Sequence, residues 1–413
     1  MNTMDRLTGL LPGHMRRRVE PLLEVMSVMR EVKNPSVLAA MTPSVGRGFV
    51  LREGRTPGLV EMYSGHATTF DFSYRSDFPE MRELYRRAKQ NQWDAEVAVD
   101  WSIDVDPLNP EVPLLPIEFV RFPRIQDRLA KFTPKQEREF LHSLTSWMLS
   151  QFLHGEQGAL FAAAQVTETV QWFDGKLYGA SQVMDEGRHV EVFHRYIDQK
   201  LNKLYTINDN LFVIIDSLMT DSRWDMKFLG MQIMIEGLAL GAFGLIYRLT
   251  GEPLLKNILR YVIQDEARHV HYGVLALHRH FEEGLSDADR REREDWAFEV
   301  SLLMRNRFMA HEVYEEWFEG TLSRREWNEA VLEGPLMKEF RTVMFSRLIP
   351  NLRYIGLLPD RMVRHYEDAG LYRFAFGKNA SELSGEDLIH DLDARAEGHV
   401  EGGGADAVFA AAE

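Results

Sequence analysis

Residues 183–192 read VMDEGRHVEV and residues 262–272 read VIQDEARHVHY; both carry Asp-Glu-x-Arg-His inside an apolar stretch. No other feature constrains the chain as much. Residues three apart on an α-helix share a face, so Glu186 points with His189 and Glu266 with His269. The same-face neighbours of Glu186 are Val183, Val190 and Phe193; those of Glu266 are Leu259, Val262, Ile263 and Val270. Both pairs therefore lie on stripes that pack inward. An isolated buried carboxylate is too costly to tolerate, so each needs a cation or a proton.

Two further glutamates repeat the pattern. Glu156 has Leu149, Phe152, Leu153, Ala159 and Leu160 at helical spacing, and Glu236 has Leu229, Ile233, Ala239, Leu240 and Phe243. Glu156 precedes Glu186 by 30 residues (186 − 156), and Glu236 precedes Glu266 by 30 (266 − 236). The halves are offset by 80 at every position (236 − 156, 266 − 186, 269 − 189). Thirty residues is about one helix, a short turn and half the next helix, which returns the chain to the same height in an antiparallel hairpin. The spacing predicts an approximate duplication whose four glutamates and two histidines converge in one helical core. Six oxygen and nitrogen donors suit two divalent metals that share bridging carboxylates. The competing reading pairs the glutamates with Arg188 and Arg268 as buried ion pairs, but it leaves the equal spacings unexplained.

Composition narrows the chemistry further. With no cysteine among 413 residues, thiol catalysis, disulfides and cysteine-ligated metals are excluded. A net charge of -15 argues against nucleic acid as a partner, since phosphate contacts need basic patches. VGRGFVL lacks the third glycine of a dinucleotide fingerprint, and no Walker-type loop occurs. No apolar run is expected to reach the roughly 20 residues that cross a bilayer. The N-terminal stretch lacks the apolar core of a signal peptide, so a cytoplasmic location is expected.

The fold class expected is all-α. Thr133-Pro134 opens a helix to about residue 164, and others are expected over 168–204, 221–250 and 253–283. Further helices are expected over 286–319, 322–348 and 359–370. The domain reading is an N-terminal arm of mixed helix and extended segments over 1–125 and a di-metal four-helix bundle over 126–285. Additional packing helices over 286–393 and a disordered tail over 394–413 complete it.

On Glu156, Glu186, His189, Glu236, Glu266 and His269, the chain resembles the ferritin-like carboxylate-bridged di-iron oxidases and oxygenases. These include acyl-carrier-protein desaturases, bacterial multicomponent monooxygenases, arylamine N-oxygenases and the small subunit of class I ribonucleotide reductase. The resemblance covers about residues 133–284, and NQWDAEVAVDWS is similar to the Trp–acid–Trp segment before the bundle of the reductase subunit. It implies that Glu156, Glu186 and His189 hold one iron and Glu236, Glu266 and His269 the other, with Glu186 and Glu266 bridging; a mixed Mn/Fe pair is also compatible. A metal-bound imidazole donates its other N–H to a carboxylate or carbonyl, so Asp265 is expected at His189 and Asp185 at His269, with Arg188 and Arg268 in the surrounding layer. The alternative reading of each Asp is a satisfied surface charge.

The pattern departs from the family in places. Where the reductase keeps its radical tyrosine, four residues after the first histidine, this chain has Phe193. Where arylamine N-oxygenases carry an extra histidine it has Val262, and no threonine closely follows Glu236. Tyr272 is expected in the core or against substrate.

The resemblance implies O2-dependent hydroxylation, N-oxygenation or desaturation of a small apolar or aromatic molecule, with O2 as co-substrate. With no flavin or nicotinamide motif, an external ferredoxin or reductase is the expected electron donor. A homodimer is among the assemblies this reading admits. A radical-generating or metal-storage protein of the same fold, or a non-enzymatic helical scaffold, are the rival readings. The small-residue strip Gly237–Gly244 opposite GALFAAA (158–164) has two readings, close helix packing or space for substrate. On the second, Phe152, Ala159, Gly237, Leu240 and Gly241 line the pocket.

Overall fold

The computed structural model describes residues 11–31, 34–55, 58–306 and 308–401. Of these, 73% are helical and none lies in a strand, so the chain is all-α, as its periodicity predicts. The N-terminal helices are α1 (Gly13–Glu31), α2 (Pro35–Val45) and α3 (Pro79–Gln90). Four helices carry the paired acids: α4 (Pro134–Thr169), α5 (Phe173–Tyr196), α7 (Trp224–Leu249) and α8 (Pro253–Glu283), with α6 (Asp209–Thr220) between the two pairs.

Local chemistry sets their starts. The Thr133 hydroxyl accepts from the Gln136 N–H, and the Gln136 side chain accepts from the Thr133 N–H, so two of the donors that a helix start leaves free are satisfied. The Glu252 carboxylate does the same for Leu254 and Leu255 at the head of α8. Within α7, Leu229–Ile235 winds as a π-helix immediately before Glu236, which changes the rotation of its side chains relative to a regular helix.

Residue pairs fix the helix directions. His189 meets Asp265 and His269 meets Asp185, so α5 and α8 run antiparallel. Three-residue links, 170–172 and 250–252, join α4 to α5 and α7 to α8 as antiparallel hairpins. With both α5 and α7 antiparallel to α8, these two run parallel.

The C-terminal region contributes α9 (Asp287–Asn306), α10 (His311–Trp317), α11 (Arg324–Glu333), α12 (Pro335–Tyr354), α13 (Asp360–Asp368) and α14 (Gly385–Glu401). Helix α12 packs along α7, α14 packs on both α7 and α8, and α3 lies against α5 and α8.

Several expectations need correction. In the N-terminal arm, read as mixed helix and extended segments, residues 35–51 are helical throughout, as α2 and a following π turn (Gly46–Leu51). The side chain of Asn34 caps α2, and the helix packs on α6. Helix α6 was not expected; LFVII is apolar all round and carries no 3.6-residue alternation. The single helix expected over 286–319 is interrupted before His311, where Ala310 takes φ 46°, and the one over 322–348 breaks at Gly334-Pro335. The tail expected from residue 394 is helical as far as Glu401, and residues 402–413 lie outside the described residues. Finally, Trp224–Leu249 is long and apolar enough to cross a membrane, contrary to expectation, although 94% of its most apolar window is buried within the protein.

Candidate metal centre

The six side chains picked out by spacing meet at one level of the α4, α5, α7 and α8 core. All are buried, with exposures of 0% for Glu186, His189 and His269, 1% for Glu266, 2% for Glu236 and 5% for Glu156. His189 Nδ1 lies 3.2 Å from Glu156 Oε2, 3.4 Å from Glu186 Oε2 and 3.2 Å from Glu266 Oε1. His269 Nδ1 lies 3.0 Å from Glu186 Oε1 and 3.6 Å from Glu266 Oε1. Glu186 and Glu266 thus stand between the two imidazoles, whose ring centres are 5.8 Å apart.

Two groups of donor atoms lie within 4.8 Å of one another: Glu156, Glu186, His189 and Glu266, then Glu186, Glu236 and His269. The structure therefore places Glu186 in both groups and gathers Glu266 with the first. Helical protein surrounds a buried Glu/His cluster that could bind metal, and this arrangement is compatible with a di-iron helical fold.

The cluster has unmet bonding capacity of the right kind. Glu186 Oε2, Glu236 Oε2, both Glu266 oxygens and His269 Nδ1 are buried and make no hydrogen bond among the described residues. His269 Nδ1 and Glu186 Oε1, 3.0 Å apart, are thus in close electrostatic contact without the alignment of a hydrogen bond. Buried polar groups rarely stay unpaired, and oxygen and nitrogen donors pointing at a shared space fit divalent metals without sulfur ligands.

The layer outside the cluster accounts for the rest of the repeated motif. His189 Nε2 lies 3.2 Å from Asp265 Oδ2, and His269 Nε2 lies 3.3 Å from Asp185 Oδ2. Each aspartate therefore serves the histidine of the other helix and leaves Nδ1 turned to the carboxylates. Arg188 pairs with Asp185 and reaches Asp265 at 3.5 Å; Arg268 pairs with Asp265 and stands 3.9 Å from Asp185. The arginines balance the aspartates and leave the glutamates to another cation, so the reading of Glu–Arg ion pairs is not what the geometry shows.

Three contacts went unread in the sequence. The Trp93 indole donates to Asp265 Oδ2 at 2.8 Å while its ring stacks on Tyr261. Gln92 donates to Asp185 at 3.0 Å and accepts from Arg188 at 2.6 Å. Gln182 donates to Glu186 Oε1 and Glu236 Oε1, both at 3.1 Å. Gln182 lies one turn before Glu186 on the same apolar stripe, and that placement was the available signal.

Charge and burial shift the protons. Burial, then the neighbouring Glu266 and Glu186, push the Glu156 carboxyl well above its ordinary range. Burial with Glu186 and Glu266 does the same to Glu236. Burial opposes charge on His189, but Asp265, Glu156, Glu186 and Glu266 together raise it well above its usual value. His269 rises likewise against burial, through Glu186, Tyr178 and Asp185. For Glu186 the order reverses: burial favours the neutral form, and the two imidazoles outweigh it and hold the carboxyl low. Asp265 is also held low, at about 2, by His189 and Arg268 against burial. In the metal-free protein, protons occupy part of the role a cation would fill.

Gly237 and Leu240 line a cavity of about 20 Å³ with Ala267, Val270 and Leu383, on the side of α7 and α8 that faces the C-terminal segments. A Cβ on Gly241 would come 2.9 Å from the Cα of Met344, so this glycine lets α12 lie close against α7. Phe152 packs edge-on to Phe243 at 4.8 Å, and Phe193 stacks on Phe243 at 5.7 Å. Ala159 is buried at 2% exposure. Close packing is thus the finding for Gly241. A larger cavity, about 490 Å³, opens between α3, α8 and residues 381–387, with Arg87, Arg268, His271 and Glu386 on its walls.

No protein-family model matches the chain, and no curated protein matches it.

Proposed function

We propose that the chain is a ferritin-like di-iron protein that uses O2 to oxidise a small organic molecule by hydroxylation, N-oxygenation or desaturation. The observation that supports this most is the set of buried carboxylate oxygens and a ring nitrogen without protein partners, framed by arginines that are already committed to aspartates. Glu156, Glu186, His189, Glu236, Glu266 and His269 would hold two iron ions, or a Mn/Fe pair, with Glu186 and Glu266 shared. Bound iron would supply reductive activation of O2 in a site closed to bulk water.

The protein's own residues prepare this site. Asp265 and Asp185 orient the imidazoles and keep Nε2 protonated, so Nδ1 offers its lone pair inward. Gln182 ties Glu186 to Glu236 across two helices. The Phe152, Phe193 and Phe243 rings keep water from one flank. Electrons would come from an external ferredoxin or reductase, or from the substrate.

The test is anaerobic Fe(II) loading, metal analysis, then O2 uptake. About two metal ions per chain and O2 consumption that requires them are expected. A protein that retains no metal under these conditions rules the reading out. One that retains metal yet consumes O2 only to deposit ferric iron is a storage protein.

A further inference from the structure

At the Glu/His level the four helices supply charged ligands; one turn away they supply something different. Gln182 lies one turn before Glu186 on α5, and Gln232 one turn before Glu236 on α7. Because α5 and α7 run parallel, both amides lie to the same side of the cluster. On the antiparallel helices the residues at that height are Ala163 of α4 and Gly273 of α8, the latter one turn after His269. This layer therefore contains two carboxamides and two of the smallest side chains.

Gln232 is 0% exposed, and neither its Nε2 nor its Oε1 makes a hydrogen bond among the described residues. Gln182 spends its N–H groups on Glu186 and Glu236, and its Oε1 is likewise buried and unpaired. Gly273 is what makes room for the first amide, since a Cβ there would fall 2.6 Å from Gln232 Cβ and 3.5 Å from its Cγ. Leaving a buried donor or acceptor unmade costs roughly 1–3 kcal/mol, and a Leu or Met at position 232 would avoid that cost. A polar side chain kept here points to a ligand that it bonds.

We propose that Gln232, with the Gln182 carbonyl in the same layer, binds a small hydrogen-bonding ligand of the metal centre, of the size and chemistry of water or hydroxide, whose place a small anion such as azide can take. This rests on the metal-binding reading above and adds to it a residue that positions the non-protein ligand. Gln232 is a positioning residue: its N–H donates to the ligand, and the Gln182 carbonyl accepts from a protonated one. The layer favours a water-sized, hydrogen-bonding guest over a bulky apolar one, because Gln182 and Gln232 keep unpaired amide atoms at the level of Gly273 and Ala163.

The experiment is an optical titration of the Co(II)-loaded full-length protein with azide, for the unmodified chain, Gln232→Met and Gln232→Asn. Co(II) uptake is read first, in the absence of azide. If the unmodified chain takes up no Co(II), the metal-binding reading fails before this one is reached. With Co(II) bound, the expected result is an azide-dependent spectrum whose Kd rises about tenfold in Gln232→Met, the loss of one hydrogen bond to a charged group, with Co(II) stoichiometry unchanged. Gln232→Asn, which keeps the amide and withdraws it by one methylene, should weaken azide as well, and it decides the matter by the same titration if the Met variant does not fold. Azide affinity equal to that of the unmodified chain, together with a higher Tm of metal-free Gln232→Met, would show Gln232 to be a tolerated orphan and overturn the proposal. An unmodified Co(II) protein with no azide response overturns it too.

Discussion

Asp265 meets His189 Nε2, the Trp93 indole and the Arg268 guanidinium at once. Asp265→Asn keeps the size and one acceptor but removes the charge that makes the imidazole a better donor. Changes of this kind cost about 10–100-fold in metal affinity. Fe(II) or Co(II) titration of this variant should show that loss with the circular dichroism of the metal-free protein unchanged; an unaltered isotherm would mean the contact does not support the ligand. The glutamates differ among themselves in a comparable way. Glu186 borders both groups of donors whereas Glu156 borders one, so Glu186→Ala should lose both metals and Glu156→Ala should retain about one of them. Metal analysis that finds equal losses would contradict the shared position of Glu186. The six ligands and the crossed aspartates were legible because charged residues on apolar helical stripes are rare and their spacing recurs. Gln92 and Trp93 were not legible as partners, since nothing local in NQWD says which helix it will meet.

Among the elements, α7 shows where local reasoning stops. Its strip of small residues admits two meanings, and the choice depends on α12, about a hundred residues further along the chain. The structure sets Gly241 against the backbone of Met344, so the strip there is a packing surface. Gly241→Val should cost about 1–3 kcal/mol by forcing α12 outward, seen as a lower Tm of the metal-free protein, with metal stoichiometry kept. Stability equal to that of the unmodified chain would mean that α12 can move away freely. Helices with one apolar face and a capped start, such as α4 and α8, were readable to within a few residues at their starts. Helix α6 was not, because a segment buried on all sides has no periodicity to read.

For the whole molecule, the protons described above give metal-free and metal-loaded protein opposite responses to pH. Glu156, Glu236, His189 and His269 all have raised values in the folded chain. Groups of this kind stabilise fully below their unfolded values, ordinarily 4.5 for the carboxyls and 6.5 for the imidazoles. Their contribution is lost as pH rises through the folded values, because the folded state then binds more protons than the unfolded one. Asp265 and Glu186, held low, act in the other direction and only in acid, below about pH 4. The Tm of the metal-free protein should therefore fall as pH rises past the ordinary imidazole value of 6.5. Metal-loaded protein should be more stable throughout, and its affinity for metal should weaken towards acid as protons compete for the same atoms. A metal-free Tm that climbs above that pH would contradict these protonation states.

The crossed contacts carry one more consequence. His189 is steadied from α8 and His269 from α5, while Glu186 and Glu266 each border both imidazoles. Neither half of the site is furnished by its own hairpin alone. An ion entering one half fixes side chains that the other half also needs, so the ordering cost falls mainly on the first arrival. Uptake should then be cooperative: the singly loaded form stays sparse at every metal concentration, and the binding isotherm rises more steeply than that of independent sites.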